Sequence, residues 1–267
     1  MMKTAGLRPR SGETLDTFYR GRTRVLQKRR GYRFSVDAPL LADFIRTRRR
    51  DDVLEVGTGS GIISLLLGGR PFRRITAIEI QRGLAALAGR NVALNGLEDR
   101  IDVVRADYRE YRPGRKFDLV FSNPPYIEKA GGYLSRVTEK SVARHEVRGG
   151  IDDLMRKTAE WLKPAGRACF VFPERRRKDF LVAAAANGLR VRRWRSVRPR
   201  VGAPANLFLA ELGLGKGGGR GEAHAGGRRV AATRDGPGPE VMPQLILFKR
   251  AGGYTAEAEE IFSGRRP

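Results

Sequence analysis

The sequence has little histidine, a single cysteine and no long apolar run. One cysteine, Cys169, excludes a disulfide framework and a cysteine-rich zinc site. A reduced, cytoplasmic setting is the expectation that follows. No apolar stretch approaches the roughly 20 residues of a membrane helix. The opening "MMKTAGLRPR" lacks the apolar core of a signal peptide, so no membrane association is expected. Acidic residues are also scarce: 29 against 53 basic ones, a net charge of +24. That imbalance favours a polyanionic partner, nucleic acid first. The excess is mostly arginine, which a GC-rich genome also produces without selection for binding.

The 267 residues, 40% apolar, suffice for one large α/β domain or a domain plus an appendage. Residues 1–30 read as a polar, basic N-terminal segment, irregular or loosely helical. Residues 31–267 read as one domain. "SVDAPLLADFIRTRRR" predicts a helix, with Asp37 as N-cap and Pro39 in the first turn. "DVLEV" (52–56), "ITAIEI" (75–80), "IDVVRAD" (101–107), "FDLVFS" (117–122) and "GRACFVF" (166–172) predict short buried strands. Helices are expected at "IISLLL", from Gln81 to Asn95-Gly96, over "IDDLMRKTAEWLK", and from about Glu174 to Asn187-Gly188. "LRVRRWRSV" and "NLFLAEL" add two strands able to form an antiparallel edge. This order predicts a doubly wound, mostly parallel sheet with helices on both faces. The Gly-rich stretch 213–240 has few large apolar residues and reads as a flexible insertion within that domain.

Chemistry concentrates at three strand ends. "LEVGTGSGI" carries Gly57, Gly59 and Gly61 in a G-x-G-x-G spacing, between a strand and a helix. Glycines allow a tight turn and close approach of backbone to a ligand. The helix start beyond them favours an anion. Glu79 closes the second strand, where doubly wound folds hold a ribose through its hydroxyls. Asp107 closes the third. Each could be a turn residue alone; together they predict nucleoside binding. At the fourth strand end, "FSNPPY" joins Asn123 to Pro124, Pro125 and Tyr126. The prolines fix two φ angles and remove two donors, leaving a stiff elbow.

"LEVGTGSG", "AIEI", "RAD" and "NPPY", in this order, resemble the Rossmann-type S-adenosylmethionine-dependent methyltransferases. "GYRFSVDAPLLADF", "ARHE", "LKPAGRACFVFP", "PRVGAPANLFLAEL" and "GGYTAEAEEIF" narrow the resemblance to the bacterial tRNA1(Val) adenine-37 N6-methyltransferases, over residues 12 to 262 or so. The resemblance implies a seven-stranded sheet, S-adenosylmethionine as cofactor and tRNA as partner. No obligate protein partner is evident. Implied cofactor contacts are Phe34, Asp37, Glu55, Gly57, Thr58, Gly59, Gly61, Glu79, Asp107 and Asn123. The implied catalytic elbow is Asn123, Pro124, Pro125 and Tyr126.

The elbow's chemistry also follows from elementary reasoning. An exocyclic amine is a poor nucleophile because its lone pair is delocalised into the ring. The Asn123 side-chain oxygen and the Pro124 carbonyl could accept its two N–H groups and free that lone pair. The prolines hold both acceptors rigidly, so little reorganisation remains. Tyr126 offers a face for a planar base. The methylated ammonium is acidic, so scarce histidine is no obstacle. Phe34, Ser35 and Asp37 could instead be a core aromatic and a helix cap. His145 reads as an ordinary loop residue and Cys169 as a small core residue. The runs "RTRRR" (46–50), "ERRRK" (174–178) and "VRRWRSVRPR" (191–200) contact RNA only if they converge on one surface. Two rival functions stay open. One is glutamine N5-methylation of a release factor, though only about fifty residues precede the glycine motif, fewer than such enzymes carry. The other is an inactive methyltransferase fold that binds RNA.

Overall fold

A computed structural model describes residues 8–30, 35–125, 150–215 and 238–264. Among them one sheet holds nine strands, in the order β10-β8-β9-β7-β6-β3-β4-β5, with β11 also on β8. The strands are β3 (Asp52–Val56), β4 (Arg74–Glu79), β5 (Ile101–Arg105), β6 (Phe117–Ser122), β7 (Leu162–Pro173), β8 (Leu189–Arg200), β9 (Leu207–Leu214), β10 (Glu240–Val241) and β11 (Leu245–Phe248). Strands β3 to β7 run parallel, and β9 lies antiparallel between β7 and β8. The antiparallel pair is therefore present, but β9 sits inside the sheet. The expected count of seven is corrected to nine. The two additions, β10 and β11, pair parallel with the outer side of β8 and cover its exposed edge.

Two apolar layers follow from the period-two alternation of the strands. Val53, Leu119, Phe121, Cys169 and Val171 face one layer; Leu54, Val120, Ala168, Phe170 and Phe172 face the other. The first layer packs under α1 (Asp37–Phe44), α2 (Ile62–Leu67), α3 (Arg82–Leu94) and α6 (Ala256–Ser263). The second packs under α4 (Ile151–Trp161) and α5 (Arg177–Ala186), which follows a 3-10 turn at Glu174–Arg176. Cys169 is fully buried, as a small core residue should be. None of the described helices is long and apolar enough to cross a membrane.

Two local expectations are corrected. Asp37 is not the N-cap of α1: Val36 holds that position, and no side chain caps the helix. Within the expected irregular segment 1–30, the described residues 13–18 and 23–28 are strands. Strands β1 (Glu13–Phe18) and β2 (Thr23–Lys28) form a hairpin that lies on α3. Its second strand finds a substitute partner there. Asn95 accepts from the Arg24 amide at 2.9 Å and donates to its carbonyl at 2.7 Å; Asn91 does the same for Leu26 at 2.7 and 3.0 Å. Residues four apart on a helix rise about 6 Å, close to the advance of two residues in a strand. Two asparagines one turn apart therefore read alternate strand residues. Leu26 adds an apolar anchor against Leu84, Leu87 and Leu94. Of the stretch 213–240, Gly213 and Leu214 belong to β9 and Glu240 to β10; residues 216–237 lie outside the described ones.

Candidate functional site

Strand register brings the predicted residues to one edge. Val56 pairs with Ile78 on one side and Ser122 on the other, and Glu79 pairs with Arg105. Gly57 and Asn123 are therefore the next residues across the gap between β3 and β6. Asp107, Glu79, Gly57 and Asn123 lie at or just past the ends of four neighbouring parallel strands. The connection order reverses between β3 and β6, which is where doubly wound sheets leave a crevice for ligands.

The glycine loop departs from ordinary backbone. Gly57, Gly59 and Gly61 all have positive φ, at 74°, 59° and 86°. A side chain at Gly57 would meet no atom within 4 Å, so its place is open space; one at Gly61 would touch Ala88 at 3.4 Å. The Gly57 and Thr58 amides both bond the Ile78 carbonyl, at 2.9 and 3.0 Å. Thus the loop is folded back over β4 and its curvature is held by backbone.

Two carboxylates hold the loop from below and from the side. Glu55 is buried, and its Oε2 accepts from the hydroxyls of Thr58 (2.6 Å) and Ser64. Burial pushes its carboxyl up to about 7, against the lowering effect of those two hydroxyls, and the nearby Glu79 charge adds to the rise. Glu79 is also buried; it accepts from the Gly59 amide through one oxygen and the Gln81 amide through the other, both at 2.9 Å. Each carboxylate oxygen has a second lone pair, so acceptor capacity remains for a ligand hydroxyl. The neighbouring groove, about 490 Å³, is lined by Ile80, the last β5 residue Arg105, and Ala106, Asp107, Glu110, Tyr111 and Arg112 after it. Asp107 lies two residues past β5, and its carboxylate holds the Arg109 guanidinium and amide.

At the elbow, Ser122 Oγ donates to the Val56 carbonyl at 2.7 Å, pinning the end of β6 to the end of β3. Asn123 and Pro124 are half-buried and Pro125 is exposed. Asp37 stands at the α1 end nearest this edge: the opposite end is tied to the strand starts, where Arg167 and Arg70 bond the carbonyls of Arg46 and Ile45. Burial raises the Asp37 carboxyl above its ordinary range, opposed by a hydrogen bond from Ser35. Phe34, Tyr126 and His145 lie outside the described residues.

Three contributors escaped sequence reasoning. Ser64 and Ser122 are buried hydroxyls that secure the loop and the elbow. Asn91 donates to the Ser60 carbonyl at 2.8 Å while holding Leu26, so one side chain joins the glycine loop to the hairpin. A mid-helix asparagine followed by a second four residues later is the only sequence signal for it. The three Arg runs do not all converge on one surface. Arg193 and Arg195 are buried on internal partners, Glu211 at 2.6 Å and Glu257 at 2.6 Å. Residues 46–50 lie at the opposite edge, between α1 and β3; 174–178, after β7, and Arg198 and Arg200, at the end of β8, share the edge of the site.

The donor set fits a nucleoside carrying an anionic tail: a glycine loop without side chains, a carboxylate with spare lone pairs, and an open groove beside it. Residues 33–182 match the family described as the methyltransferase small domain. A tRNA1(Val) (adenine(37)-N6)-methyltransferase of Parabacteroides distasonis is 33% identical over 178 residues, covering 66% of this chain and 74% of that protein. The protein of the same description from Vibrio cholerae is 29% identical over 185 residues, covering 69% and 76%. In structure, protein Atu636 of Agrobacterium tumefaciens superposes with a TM-score of 0.60 at 18% identity, covering 86% of this chain and 96% of that one. Methanocaldococcus jannaschii Trm5, solved with adenosine, gives 0.55 at 16%, covering 77% and 56%; both likenesses concern the fold. The chain belongs to the methyltransferase small domain family, and it is an S-adenosylmethionine-dependent methyltransferase.

Proposed function

We propose that this enzyme methylates the exocyclic N6 of an adenine in tRNA, at position 37 beside the anticodon. The observation that carries the reading is the Val56–Ser122 register, which puts the Asn123 elbow next to the glycine loop. The named relatives support the choice of adenine and tRNA.

Gly57, Gly59 and Glu79 would hold S-adenosylmethionine, with Thr58, Gly61, Asp37, Asp107 and Glu55 shaping its surroundings. Bound there, it supplies a methyl group made electrophilic by a sulfonium. The chain's own residues must then prepare the amine. Asn123 Oδ1 and the Pro124 carbonyl accept its two N–H groups and draw the nitrogen toward a pyramidal form. Because Ser122 is pinned to Val56 and two prolines follow, these acceptors are set before the base arrives. Tyr126 and Phe34, the residues that the family resemblance implies for base stacking and cofactor contact, lie outside the described residues. The proton leaves to water, since the methylated nitrogen is strongly acidic until it does.

Mass spectrometry of nucleosides from tRNA of a deletion strain tests this. One N6-methyladenosine, present in the parent, should be missing and should return with the purified enzyme. Unchanged tRNA nucleosides, together with loss of a methylated glutamine from a release factor, would replace tRNA as the substrate.

A further inference from the structure

Of the arginine runs, Arg193 and Arg195 are spent on internal pairs and 46–50 lies at the opposite edge, while 174–178 and the end of β8 flank the site from the β7 side; the hairpin offers a separate basic surface on the α3 side. Its turn, at Tyr19–Arg22, lies against the end of α6, with Arg22 donating to the Gly264 carbonyl at 2.5 Å. Its open end lies at the other side. A side chain built on Gly83 would come within 3.7 Å of Lys28 Nζ. Gly83 is two residues from Gln81, whose amide bonds Glu79, so the open end borders the candidate site.

That end is basic. Arg8, Arg10, Lys28, Arg29 and Arg30 are all exposed there, and a groove of about 350 Å³ runs between Ser11–Glu13 and Lys28–Arg30. The one acid of the groove, Glu13, is taken: the Arg90 guanidinium holds it at 2.7 Å, and the Arg10 amide bonds its other oxygen at 2.8 Å. The Arg90 bond lowers the Glu13 carboxyl, keeping it ionised and satisfied. The groove's backbone is braced as well, by Arg29 N on the Gly12 carbonyl at 2.8 Å. Asn91 connects this hairpin directly to the glycine loop.

We infer that the open end of the β1–β2 hairpin is the surface on which the RNA sugar-phosphate backbone rests while the target base enters the site. This rests on the tRNA reading above. Exposed guanidinium and ammonium groups on a braced ribbon match phosphates, which give affinity and position without reading sequence. A bulky substrate must be held outside the crevice while one base reaches into it, and this is the basic surface that borders that crevice on the hairpin side.

The test is the double variant Arg10→Gln/Arg30→Gln, measured against Arg48→Gln/Arg50→Gln at the opposite edge. Unmodified tRNA is titrated at several salt concentrations, and S-adenosylmethionine affinity is measured by calorimetry. The hairpin variant should bind tRNA at least about tenfold more weakly at 0.1 M salt, with the salt slope reduced by about 2. Its cofactor affinity should be unchanged, which also reports that it is folded. Arg10→Lys/Arg30→Lys should keep most affinity. Wild-type binding by the hairpin variant, or equal loss in the opposite-edge variant, overturns the surface even if tRNA is methylated. Binding lost for polyglutamate and kept for tRNA would assign the surface to an acidic protein and overturn it too. A wild-type enzyme that methylates no tRNA defeats the substrate reading instead, a separate readout.

Discussion

The two edges of the same sheet treat carboxylates in opposite ways. At the edge where the parallel strands begin, acids are matched to cations. Asp51 holds Arg167 at 2.6 Å, Asp52 holds Arg73, and Asp118 holds Lys163 at 2.7 Å. At the edge where they end, Glu55 and Glu79 are held by hydroxyls and backbone amides, while Asp107, on the outer side of the groove, pairs with the adjacent Arg109. Cation pairing neutralises a charge and ends its availability. Amides and hydroxyls hold a carboxylate in place while leaving lone pairs for something else. The difference teaches which edge is scaffold and which is site.

Breaking a scaffold pair should have the largest effect. Arg167→Met strands the buried Asp51 and releases the Arg46 carbonyl, so unfolding free energy should fall by about 3–5 kcal/mol. Methyl transfer per folded molecule should hardly change. Urea denaturation with a parallel activity assay checks both halves; normal stability would mean the pair is dispensable.

The pH response sharpens the contrast, because the two edges have opposite signs. The Glu55 carboxyl is raised from an ordinary 4.5 to about 7 in the folded chain. The folded state thus retains a proton that the unfolded state gives up. Stability from this group is complete below pH 4.5 and disappears as pH climbs through 7, by about 3 kcal/mol in all. Asp118 runs the other way. Burial alone would raise it, yet its bonds to Lys163 and the Asp52 amide leave it lowered, so its contribution exists above the ordinary 3.8 and vanishes on acidification. Glu55→Gln should therefore flatten the decline between pH 5 and 7 relative to wild type. Identical stability curves for the two proteins would remove Glu55 from the account.

The smallest effect is expected at the site itself. Glu79→Ala deletes the acceptor of the Gly59 amide and the proposed partner of the ribose, so cofactor affinity should fall by about 1–3 kcal/mol. Calorimetry measures it, and unchanged affinity would place the ribose elsewhere.

Much of the site was legible because its signals are local. Glycines at every second position, an acid closing the next strand and an Asn-Pro-Pro elbow each lie within a few residues. The sheet's alternation was legible for the same reason. What stayed hidden depends on partners far along the chain. The hairpin's first strand alternates weakly, and its second is secured by Asn91 and Asn95, some 65–71 residues away. Arg193 and Arg195 looked like an exposed basic run until Glu211 and Glu257 arrived from other elements. Glu55 carries the same ambiguity: its sequence position suggests a ligand contact, while its burial turns it toward Thr58 and Ser64. The two short strands beyond residue 238 had too few residues to announce which strand they would extend.

The central claim is that the Asn123 elbow prepares an amine brought beside the glycine loop. Single-turnover methyl transfer to unmodified tRNA by Asn123→Ala tests it most directly. Cofactor and tRNA should bind as in wild type, while the transfer rate falls by about 10²–10³, the usual loss for one preorganised polar group. A transfer rate equal to wild type, with both ligands bound, would contradict it.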